Sequence, residues 1–96
     1  MNILDERLRK HYDRTISVIT GFPDDEVPVC ALMDAWFWFQ LIEGENSVAA
    51  TEALELLLTA ELRPAVRKWY RRSGDGMNPH AMKFRDELSK QAGEVF

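Results

Sequence analysis

Cys30, His11 and His80 carry the most reactive side chains of this 96-residue chain, and each stands alone. A cysteine beside a histidine can act as a nucleophile, because the imidazole takes the thiol proton. Cys30, however, lies in VPVCALMDAWFWF, the most apolar stretch, where a lone cysteine packs as an inert small side chain. Zinc needs about four ligands in close-spaced pairs, and one cysteine with two scattered histidines does not supply them. Asp24-Asp25-Glu26 lacks the alternating ligand spacing of a calcium loop. Glu43 and Glu45 are the nearest approach to a catalytic acid pair, but nothing around them marks a substrate cleft, and they read as a solvated turn. The glycines form no phosphate-cradling loop, and Gly74-Asp75-Gly76 before Asn78-Pro79 reads as a loop and a helix cap. No set of residues fills the catalytic roles together. The expectation is a non-enzyme with no metal and no cofactor.

Charge offers more. The net charge of −4 hides two blocks. Residues 15–62 carry nine acids and no Lys or Arg, and residues 63–72, RPAVRKWYRR, carry five bases and no acid. Such blocks create fields that steer charged partners. The basic run, Arg63, Arg67, Lys68, Arg71 and Arg72, is therefore a candidate binding surface, as is the acidic turn Asp24, Asp25 and Glu26. Arg and Lys bind phosphates, and Trp69 or Tyr70 could stack on a base, so nucleic acid is the alternative partner. The acids argue against it, because they repel a polyanion from much of the surface. Two blander readings of the run are a solvated helix face and a contact with the chain's own acids.

Periodicity places these residues on helices. Leu4, Leu8, Tyr12, Ile16 and Ile19 mark a first helix over about 3–19, with Asn2 as its cap. Gly21-Phe22-Pro23 ends it. A second helix is expected over about 28–43, with Pro28 early in it and Gly44 as its stop. A third covers about 47–62 after Ser47, and Pro64 kinks or restarts the chain there. A fourth, about 64–73, turns Val66, Trp69 and Tyr70 inward. A fifth, about 79–92, starts at Asn78-Pro79 and carries Ala81, Phe84, Leu88 and Ala92 at helical spacing. The fold class is all-α, a small bundle of four to five helices around a central apolar helix at about 28–43. The alternative is α+β, with a strand at about 35–42, because Ala35, Phe37, Phe39 and Leu41 alternate with Trp36, Trp38 and Gln40.

One domain spans 1–96. The opening MNILDERLRKHYDR has no apolar run of signal-peptide length, no stretch is long enough to span a bilayer, and a single cysteine suits a reducing compartment. Together these predict a cytoplasmic protein. The second helix, apolar on nearly all sides, is either wrapped by the others or covered in part by another chain. Trp36 and Trp38 point to different sides of a helix, and such rings anchor protein contacts. A homodimer with Trp36 or Trp38 in its interface is the simplest form of that contact. The functional expectation is a small acidic protein-binding module of the inhibitor, immunity, assembly-chaperone or adaptor type. It would work by occupying a partner's surface.

Overall fold

The computed structural model of the chain describes residues 5–72 and 79–93. It contains five α-helices and one 3-10 turn, and no strand among the described residues. In chain order these are α1 (Glu6–Val18), the turn Asp24–Glu26, α2 (Val27–Glu43), α3 (Val48–Leu57), α4 (Arg63–Arg72) and α5 (Pro79–Ala92). The all-α expectation therefore holds, and the strand at about 35–42 is replaced by helix throughout. An aromatic run can be helical when its rings are buried on several sides, because packing outweighs local preference.

Local signals set most of the boundaries. Asp5 caps α1, accepting a hydrogen bond from Arg7 N at 2.9 Å, while Asn2 lies outside the described residues. Ile19 is extended and closes that helix, with its N–H on Thr15 O. Pro28 sits in the first turn of α2, where its missing N–H leaves no bond unmade. Gly44 ends α2 at φ +85°, a conformation that glycine alone adopts without strain. Ser47 Oγ caps α3 through Ala50 N at 3.1 Å. Pro79 opens α5, while Asn78 lies outside the described residues.

The end of α3 differs from expectation. α3 ends at Leu57 rather than near 62. Its last carbonyls are taken by tight turns, Leu58 N on Glu55 O and Thr59 N on Leu56 O, and the Thr59 hydroxyl also bonds Leu56 O at 2.8 Å. A local side-chain bond of that kind competes with helix continuation. α4 begins at Arg63, so Pro64 falls in its first turn and the chain restarts there as its sequence indicates.

α2 packs along α3 and α1 and touches the 3-10 turn and α4. The α3 face against it is made of small residues, Ala49, Ala50 and Ala53, all buried, which lets the helices approach closely. From α2, Val29, Leu32, Ala35, Trp36 and Phe39 enter the core, where they meet Leu8, Leu57, Val66, Trp69, Phe84 and Leu88. Trp36 packs on Phe84 at 5.3 Å between ring centroids, and Phe84 on Trp69 at 5.6 Å. This chain of rings ties α2, α5 and α4 together. Cys30 is buried and free, and burial pushes its thiol pKa up, which suits the inert role. No described helix is long and apolar enough to cross a membrane.

Candidate partner-binding surface

The basic face of α4 folds back on the acidic turn. Glu26 has no exposed surface, and its carboxylate is held by the Arg72 guanidinium. Lys68 Nζ lies 3.1 Å from Asp25 Oδ2 and 3.9 Å from Glu26 Oε2. Of the sequence candidates, then, Asp25, Glu26, Lys68 and Arg72 meet one another. Arg63 donates to Leu58 O at 3.0 Å, and Arg67 and Arg71 also interact within the chain. Asp24 is exposed. Trp69 and Tyr70 are buried, and Arg85 stacks on the Tyr70 ring at 3.8 Å, so neither ring is presented for stacking on a base. A buried carboxylate without its cations costs several kcal/mol, which explains why a basic helix must lie over Glu26.

The two candidate tryptophans separate. Trp36, 2% exposed, is a core residue with no surface left for an interface. Trp38 is 47% exposed, and on the same side Leu41 and Ile42 are 81% and 57% exposed. At about 100° per residue, positions 34, 41 and 42 fall within about 60° of Trp38. The sequence makes α2 apolar on nearly all sides and marks no single side as open. The structure opens the side centred on Trp38, while the neighbouring helices, α3 and α1 foremost, cover the others. The helix is thus wrapped incompletely, and its uncovered stripe is largely apolar.

α1 borders that stripe and runs antiparallel to α2. Arg7 meets Glu43 and stacks over Phe39, while further along α1 His11 meets Asp34. His11 is nearly buried, with Nε2 2.8 Å from Asp34 Oδ2 and its ring stacked on Trp38 at 6.1 Å. These contacts fix the Trp38 ring from below and leave its outer face open. Arg7 is also bound to Asp5 at 2.7 Å. Glu43 in turn accepts the Ser47 hydroxyl at 2.7 Å. The Ser47 hydroxyl first, and Arg7 with it, holds the Glu43 carboxyl below its usual range. Glu43 therefore ties the end of α2 to α1 through Arg7 and to the start of α3 through Ser47.

Between α1 and α2 runs an open groove of about 400 Å³ lined by Lys10, His11, Arg14, Trp38 and Ile42. Neither Lys10 nor Arg14 has an ion pair among the described residues. A second groove, of about 610 Å³, lies on the other side of the stripe between α2 and α5 and includes Met33, Phe37, Leu41 and His80. Sequence reasoning passed over Lys10, Arg14, Leu41 and Ile42. The signal for the bases was their spacing of four residues on one helix face. It was masked by Glu6 and Asp13, which leave the amino-terminal segment nearly neutral. No cluster of three or more potential metal ligands occurs among the described residues. No known family's sequence model matches the chain, and comparisons with characterised proteins and with solved structures also find no match.

Proposed function

We propose that the chain is a small non-enzymatic protein-binding module that works by occupying a partner's surface through the open side of α2. The observation that carries this reading is the uncovered stripe of Trp38, Leu41 and Ile42. The chain buries Trp36, Phe39 and Phe84 well, so its core has the capacity to hold large side chains. Three large apolar residues left open on one helix side are an unmet packing surface, and aromatic residues of this kind anchor interfaces. The rim is polar and supplied by α1, as interfaces commonly are. An unlike partner fits better than a second copy. An antiparallel two-fold packing of α2 on its own copy sets the two α1 flanks, with Lys10 and Arg14, against each other. Nucleic acid on α4 is less well supported, because Lys68 and Arg72 are engaged by Asp25 and Glu26.

The test is capture of a partner from a lysate of the source organism with three versions of the chain. The wild type and Lys68→Ala are expected to retain the same protein partner, and Leu41→Glu with Ile42→Glu is expected to lose it. Circular dichroism should be the same for all three. Retention by the α2 variant together with loss by Lys68→Ala would move the binding surface to α4 and overturn the reading.

A further inference from the structure

We infer that the occupant of the α1–α2 groove is an amphipathic helix of another protein that carries acidic residues along one edge of its apolar stripe. The inference rests on the protein-binding reading and adds the chemistry of the partner. The groove has two unlike walls. The α2 wall is apolar along Trp38, Phe39 and Ile42, with Glu43 at its end bound to Arg7, and Trp38 and Ile42 are four residues apart. The α1 wall is cationic, formed by Lys10 and Arg14, also four residues apart. Four residues are one helical turn, about 6 Å of rise. Two parallel rows with that repeat match a helix laid between them, which offers side chains at i and i+4 to each row.

Charge selects the kind of helix. Among the described residues Lys10 and Arg14 have no ion pair, whereas Arg7 at the groove's end is held by Asp5 and Glu43. Acids spaced four apart on one edge of the incoming helix would meet Lys10 and Arg14 in turn. Acids on its other edge would lie over the apolar side chains of Trp38 and Ile42 and lose hydration with no cation to meet. A polyanion such as a nucleic acid has no neutral edge to turn toward that stripe, so it fits the groove less well than a one-sided helix does. The pairing of Arg7 with Glu43 keeps the groove's end near neutral, so selectivity concentrates on Lys10 and Arg14.

The experiment titrates the full chain with two labelled helical peptides of about 18 residues, long enough to hold a helix. Both carry one leucine stripe, and they differ only in the edge beside it, Glu in one and Lys in the other. At low salt the Glu-edged peptide should bind about tenfold tighter, the scale of two surface ion pairs set against two repulsions. The preference should shrink as salt rises. Lys10→Glu with Arg14→Glu should reverse the preference, and Trp38→Ala should weaken both peptides alike. Equal affinity for the two peptides, with both lost in Trp38→Ala, would overturn the acidic-helix inference and leave the protein-binding reading standing. No saturable binding of the Glu-edged peptide also overturns the inference, while the lysate capture decides the broader reading separately. Tighter binding of a single-stranded oligonucleotide than of the peptide, abolished by the same charge reversal, would assign the groove to nucleic acid. Self-association that buries Trp38 at micromolar concentration would assign it to a second copy.

Discussion

α4 and α1 both present basic faces, and they differ in what those bases have left to give. α4 carries five bases in ten residues, yet Lys68 and Arg72 close over Asp25 and the buried Glu26, and Arg63, Arg67 and Arg71 also have partners. α1 carries fewer, but Lys10 and Arg14 face an open groove beside an exposed tryptophan. The dense patch closes on the chain's own acids, and the sparse one is the surface proposed for binding. What makes a charged residue available is the absence of an internal partner, and charge density along the chain does not report that.

The comparison extends to the tryptophan behind each face, and the largest expected effect lies there. Trp36 is linked through Phe84 to Trp69 of α4, so Trp36→Ala should cost about 3–5 kcal/mol, the range for a fully buried large ring. Trp38, stacked on His11 of α1 but half exposed, should cost about 1 kcal/mol or less when cut to alanine. Urea unfolding midpoints check both. Equal losses would mean that Trp38 is a core residue and that the stripe is no surface.

A smaller effect separates the two sets of bases. Arg72→Ala leaves the Glu26 carboxylate buried with only Lys68 near, at 3.9 Å. Losing one partner of a buried pair costs about 3–5 kcal/mol; here about 2–3 is expected, because Lys68 remains and the guanidinium is itself half exposed. Arg14→Ala should stay within about 0.5 kcal/mol of wild type. If the two substitutions were equally mild, the contact of Arg72 with Glu26 would contribute nothing and α4 would return as a candidate surface.

Much of the fold was legible in the sequence. Pro28 and Gly44 bracket α2 because their effects are local, and so is the cap at Ser47. Val66, Trp69 and Tyr70 were expected inward from their spacing, and they are buried. The candidate site was less legible. Glu26 and Arg72 are far apart in sequence, and no local pattern announces that one neutralises the other. Which side of α2 stays open depends on where its neighbours settle, so no local pattern marks Leu41 and Ile42 as exposed. The end of α3 was misjudged because Thr59 diverts a carbonyl through a side-chain bond that propensity does not register.

The smallest effect is expected at acid pH and concerns the tie between α1 and the end of α2. Asp5 and Glu43 are both held below their ordinary values of 3.8 and 4.5, Asp5 chiefly by Arg7 and Glu43 by the Ser47 hydroxyl and then Arg7. A carboxylate whose folded pKa is depressed stabilises the fold above its unfolded pKa. That contribution is lost as pH falls through the folded value. Stability should therefore decline below about pH 4.5, modestly because these groups are exposed. Arg7→Ala should flatten this acid limb, measured as the urea midpoint against pH. An unchanged acid limb in Arg7→Ala would detach Arg7 from the tie.

The central claim is that binding belongs to the α1–α2 face and not to α4. Association rates at low salt test it most directly, measured on the captured partner with two charge-reversed variants at a temperature where both are folded. Lys10→Glu with Arg14→Glu should slow association about tenfold, with the loss shrinking as salt rises. Arg67→Glu with Arg71→Glu should leave the rate near that of the wild type. A slow rate in the α4 variant beside an unchanged rate in the α1 variant would contradict the account.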